Sequence, residues 1–171
     1  MARYIDALSI LPHSRHATQV WHTLVEVLGS NGAEFVPGTP VILNEHDGQD
    51  PEPEDAQSGE EAIARIRAWP TMGGVSFDFA RQKVTIFTFG KPPHHADVIA
   101  VSTISTAYLL DVDFKASFDR LVANVHRATH ASRTICEYEL LSPDSIWIDE
   151  MERVRAGQFE GRYAVDWRFA H

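Results

Sequence analysis

A chain of 171 residues with 44% hydrophobic and 23% charged residues has the composition of one globular domain over 1–171, not of a disordered segment. Its net charge of −9, from 15 basic and 24 acidic residues, argues against nucleic acid or an anionic membrane as the main partner. A single cysteine, Cys136, excludes an intramolecular disulfide. The opening Met1-Ala2-Arg3-Tyr4-Ile5-Asp6 lacks the apolar run of a signal peptide, and the stretch 98–110 is too short and too polar to span a bilayer. A soluble, cytoplasmic protein is expected.

In chain order, residues 3–10 read as a strand ending near Pro12. Ser14-Arg15-His16 opens a helix with Val20, Trp21, Leu24, Val25 and Leu28 at helical spacing, and Gly29 and Asn31-Gly32 stop it. A broken strand over 34–43 carries Pro37-Gly38 and Pro40, which place it at a sheet edge. Pro51 and Pro53 then predict an irregular loop at about 44–58. Ser58 or Gly59 caps a short helix through Ala68, with Ile63, Ile66 and Trp69 as its inward side.

The middle alternates with period two. Val75, Phe77 and Phe79 mark one strand, residues 84–89 a second across an Arg81-Gln82 turn, and residues 97–110 a long third. Phe114, Phe118, Leu121, Val122 and Val125 form the stripe of an amphipathic helix over 114–129, with Asp113 as its natural cap. Residues 134–141 read as a strand, Ser142-Pro143 as the start of another helix, and Tyr163, Val165, Trp167 and Phe169 as one face of a last strand. The fold class is α+β: a single domain, with an antiparallel-dominated sheet and about four helices packed on it.

No nucleophile elbow, phosphate loop or dinucleotide fingerprint is present, and Gly73-Gly74 reads as turn glycines. His126 and His130 have the i, i+4 spacing that can share a metal, but no third ligand is indicated and they lie beside the apolar stripe. His13, His16, His94 and His95 fall at turns or helix starts, where surface roles are the better reading. Cys136 shares the more apolar face of its strand with Tyr138 and Leu140, and Glu137 and Glu139 nearby supply the wrong sign for a reactive thiolate, the setting of a small buried hydrophobe. No catalytic residue, no metal ligand and no cofactor is therefore assigned.

What stands out is charge. Between Asn44 and Glu61 the chain carries Glu45, Asp47, Asp50, Glu52, Glu54, Asp55, Glu60 and Glu61 and not one Lys or Arg. Such a field does little for folding but governs which partners approach. These eight residues are the candidate partner-binding set, set against the plainer reading of a solvated loop. A tryptophan exposed near the window is an anchor candidate.

The opening Arg3-Tyr4-Ile5-Asp6, the helix around Ala17-Thr18-Gln19-Val20-Trp21 and the aromatic Phe77-Asp78-Phe79 resemble the family numbered fifty-two among polymorphic-toxin immunity proteins. The resemblance implies a non-enzymatic inhibitor of a cognate secreted antibacterial toxin, such as a nuclease effector of type VI secretion. Its partner would be a protein with a basic surface. Two other readings stay open: a non-catalytic structural or adaptor subunit and, with less support, a small enzyme using scattered His and Asp residues.

Overall fold

In the computed structural model, residues 3–43, 46–49, 51–71, 73–90, 95–141, 146–158 and 165–168 are described. Eight strands form one sheet: β1 (Tyr4–His16), β2 (Thr39–Leu43), β3 (Glu54–Ala56), β4 (Gly73–Phe79), β5 (Gln82–Phe89), β6 (His95–Ile104), β7 (Arg133–Tyr138) and β8 (Val165–Arg168). Their order is β3-β2-β4-β5-β6-β1-β7-β8, and every pairing is antiparallel. Among the described residues five helices are seen, where about four were expected: α1 (Ala17–Ser30), α2 (Gly59–Ala68), α3 (Ser105–Leu110), α4 (Val112–Thr129) and α5 (Ile146–Arg155). The α+β class holds.

The pleat sends alternate residues to two separate cores. Ile5, Ala7, Val75, Phe77, Val84, Ile86, Ile99 and Val101 face α1 to α4 and meet Trp21, Leu24, Phe114, Phe118 and Leu121. Leu8, Ile10, Phe89, Val98, Ala100 and Ile135 face the other way, onto Met151 and Val154 of α5. Central strands covered on both faces read as continuous apolar runs, which is why 98–101 carries no polar residue.

Several boundaries differ from the sequence reading. β1 does not end near Pro12 but runs to His16 through an irregularity in its pairing with β6. Ile10 pairs Val98 and Arg15 pairs Ala96, so residues 11–14 are set against Asp97 alone. The bulge accommodates a proline that has no N–H to give. Arg155 of α5 donates to the Leu11 carbonyl at 3.2 Å and to Asp97 at 3.0 Å, which ties the helix to the bulge.

The third meander strand stops at Ile104, where Ser105 N–H bonds the Arg3 carbonyl at 2.8 Å, and Ser105–Leu110 turns into α3. Asp111, not Asp113, then caps α4, accepting from Asp113 N at 3.1 Å and Phe114 N at 2.9 Å. In α1 the buried side includes Val27, while Val25 is exposed. His95 lies within β6 instead of a loop. Gly73 and Gly74 are strand residues of β4, not a turn. A Cβ on Gly74 would sit 2.2 Å from the Phe87 ring and 2.8 Å from the Ile86 carbonyl, so side-chain-free backbone is what lets β5 and its phenylalanine close over it. The Ser142-Pro143 helix start and the faces assigned to Tyr163, Val165, Trp167 and Phe169 lie outside the described residues and side chains, although β8 itself is present.

Asp6 is buried between the Ser102 hydroxyl, 2.5 Å away, and the Leu141 N–H at 3.2 Å. Loss of solvation raises its pKa, and these hydrogen bonds offset only part of the rise. A carboxyl whose folded pKa is raised binds its proton more tightly in the native state. Its ionisation opposes folding above that raised value, and the opposition fades as pH falls through it toward the unfolded value. Asp6→Asn is expected to leave stability at pH 7 equal to or above the parent, with a difference that shrinks toward pH 4. Urea unfolding of both proteins across that range checks it. A variant that loses stability at pH 7 would contradict it.

Candidate functional site

The acidic window folds onto one edge of the sheet. β3, its outermost strand, pairs with β2 through Thr39↔Ala56, Pro40↔Asp55 and Val41↔Glu54. This corrects the irregular loop expected at about 44–58, and β2 is accordingly one strand in from the edge. Pro51 and Pro53 precede the strand and do not interrupt it. His46 and Gln49 exchange backbone hydrogen bonds of 2.8 and 2.9 Å around Asp47-Gly48, both at positive φ, in a tight turn.

The window then enters α2. Ser58 caps the helix by accepting from Glu61 N at 3.1 Å, and the Glu61 carboxylate reaches back to Gln57 N at 2.8 Å. That is a capping box displaced by one residue. Glu61 also grips Arg65 four residues on. The Arg65 guanidinium lies 3.7 Å from the Glu54 carboxylate and donates to the Glu54 and Asp55 carbonyls at 3.2 and 3.4 Å. A window with no cation of its own thus borrows one from beyond its end. The Glu61–Arg65 spacing was readable in the sequence, whereas the approach of Arg65 to β3 needed the tertiary fold.

The eight predicted residues therefore divide. Glu61 serves the helix start, and Glu54 shares Arg65. Glu52, Asp55 and Glu60 are exposed and make no ion pair among the described residues, and exposed Asp47 lies 3.3 Å from the His46 ring. Glu45 and Asp50 lie outside the described residues. The outward carboxylates belong to one sheet edge and the adjoining helix start, an arrangement suited to presenting negative charge to a large partner.

Beneath this edge lies an open cavity of about 350 Å³ between β2 and α2. Val41, Leu43, Pro51, Ala68 and Trp69 supply its apolar lining, and Glu52, Glu54 and Arg65 its polar groups. Trp69 is half-buried, with the His46 ring edge-on at 6.3 Å. It lies near the window but is not the exposed tryptophan expected of an anchor, nor is it the fully inward residue its place after Ile66 implied. A larger hollow of about 860 Å³ opens between α1 and α2, bordered by His22, Val25, Glu60, Ile63 and Arg67.

Elsewhere the reactive side chains are occupied structurally. The buried His126 ring bonds Thr134 Oγ1 at 2.8 Å, and burial pushes its pKa down. His130 ends α4 in the left-handed conformation, exposed. The two histidines are not brought together with a third ligand, and no group of three metal-binding side chains occurs among the described residues. Burial, with Asp119 and Asp6 nearby, pushes the Cys136 thiol up to about 12, away from nucleophilic reactivity. Burial and the 2.9 Å hydrogen bond to Asp119 push Tyr108 up to about 12 as well. No helix among the described residues is long and apolar enough to cross a membrane.

No family model matches the chain, and no curated protein matches it. Among solved structures, it is similar to a chain in the crystal structure of the toxic C-terminal tip of CdiA from Pseudomonas aeruginosa in complex with immune protein. The TM-score is 0.47 at 10% identity, covering 85% of this chain and 92% of that one. It is also similar to a Pseudomonas aeruginosa T6SS protein, with a TM-score of 0.42 at 10% identity, covering 81% of this chain and 42% of that one.

Proposed function

We propose that this chain is an immunity protein that binds and neutralises a cognate antibacterial toxin by protein–protein contact. A nuclease effector of type VI secretion is the toxin class implied by the sequence resemblance. The observation that carries the reading is the row of outward carboxylates on β3, the turn before it and the start of α2. A nuclease cleft is positive because it must hold phosphates. A negative edge is drawn to such a cleft and can occupy it, which acts first on the association rate. On this reading the protein works by occupancy and catalyses nothing.

The test replaces charge while keeping shape. The fourfold variant Asp47→Asn, Glu52→Gln, Glu54→Gln, Asp55→Asn leaves the β3 pairing intact, and loss of the exposed Glu54–Arg65 pair matters little to folding. Binding to the cognate toxin is measured from low salt to about 0.5 M, a range over which the Debye length contracts to a few ångströms. The parent's on-rate is expected to fall steeply with salt. The variant is expected to associate about tenfold more slowly or worse at low salt, and to protect cells poorly. A salt-independent on-rate together with unchanged affinity in the variant would sink the proposal.

A further inference from the structure

Resting on that reading, we infer that the cavity between β2 and α2 is a socket for an arginine side chain projecting from the basic surface of the protein partner. Its lining combines two chemistries. Val41, Leu43, Pro51, Ala68 and the half-buried Trp69 offer apolar and aromatic surface, and Glu52 and Glu54 add carboxylates. A three-carbon stem needs the first, and a guanidinium needs the second.

The charge balance selects a cation. Arg65 also lines the cavity, but Glu61 and Glu54 already share it, so three carboxylates stand around one guanidinium and Glu52 makes no ion pair among the described residues. An anionic side chain would meet that net negative charge, and a purely apolar one would cover Glu52 without giving it a counter-charge. Arginine is favoured over lysine because its planar head can stack on an indole and fork onto a carboxylate, whereas an ammonium is a compact, strongly hydrated point charge. The outward carboxylates bring the partner in, and the socket gives one of its side chains a fixed seat. Buried aromatic contacts of this kind usually carry more of the affinity than rim charges do.

The probe is a capped Gly-Arg-Gly peptide titrated into isotope-labelled full-length protein, read at the indole N–H resonances, with the Trp69 signal assigned by its loss in Trp69→Phe. The Trp69 resonance should move saturably while that of the fully buried Trp21 stays still. Glu52→Gln with Glu54→Gln should weaken the peptide about three- to tenfold. A lysine peptide should bind more weakly, and a norleucine peptide should leave Trp69 unmoved. An unmoved Trp69, an equal response to norleucine, or unchanged binding in the double variant would overturn the socket. Because the titration needs no toxin, its failure beside a salt-steered toxin association removes the socket alone. A saturable Trp69 response in the parent beside a fourfold variant that still protects fully would overturn the socket as the partner's seat, because that variant also removes Glu52 and Glu54.

Discussion

Phe118→Ala is expected to lower the unfolding free energy by about 3–5 kcal/mol, and Phe87→Ala by roughly 1–2 kcal/mol, although both phenylalanines sit in strongly patterned elements. Phe118 is wholly inaccessible. Its ring meets Tyr108 of α3 edge-on at 5.5 Å and Phe114 at 6.1 Å, and Phe114 in turn meets Phe79 of β4 at 6.3 Å. Truncation would open a void at the centre of this chain of rings and remove two favourable aromatic pairings as well. Phe87 points to the opposite face of the sheet, is half-buried, and neighbours Phe89 at 6.1 Å. Collapse and water can heal that site. Urea unfolding with unchanged m-values would measure both losses. Equal losses would mean that the two faces of the sheet contribute alike, against the burial seen here.

The contrast shows what sequence periodicity can and cannot resolve. Alternation located β4 and β5 and the stripe of α4 located its buried face, because each signal needs only neighbours along one element. Period two does not say which of two covered faces a residue joins, so Phe87 and Ile86 looked alike. The errors at 105–110 and at Gly73-Gly74 have another origin. Residues 98–110 are an apolar-leaning run with no glycine or proline to end it, and the strand stops where its pairing with β1 runs out at Tyr4↔Ile104. Gly73 and Gly74 resemble a turn until Ile66 of α2 and Phe87 of β5, from the elements on either side, fill the space above them.

The acidic set was legible as composition but not as architecture. Charge counting found all eight carboxylates. It could not show that Glu61 would be absorbed into a helix cap, or that Arg65 would cross to β3 and offset part of the field. The prolines also misled in an instructive way. Pro53 directly precedes β3, and Pro40 faces Asp55 within the β2–β3 pair, so both were compatible with a short edge strand. Trp69 became relevant only once β2 and α2 had closed around a common cavity.

The second large effect is expected at Arg133 of β7, one strand in from the far edge of the sheet. Its side chain is fully buried and forks onto Asp166 of β8, Nε to Oδ1 and Nη2 to Oδ2 both at 2.9 Å. Glu150 of α5 lies 3.7 Å from Nη1 and receives Arg153 at 3.0 Å. One cation thus joins an edge strand and the helix covering the second core to β7. Arg133→Met would take the shared counter-charge from Asp166 and from the nearly inaccessible Glu150, which keeps Arg153, and is expected to cost about 3–5 kcal/mol. The number belongs to the carboxylates deprived of that cation more than to the lost bonds. Arg133→Met combined with Asp166→Leu and Glu150→Leu should therefore recover most of the loss. Urea titrations of the single and triple variants would decide it; a single variant within about 1 kcal/mol of the parent, or a triple variant no better than the single, would refute the mechanism. Because β8 and β3 lie at opposite ends of the strand order, the triple variant should leave untouched the salt-dependent association proposed for the β3 edge. A stability defect at one edge and a charge defect at the other would then be separable in a single protein.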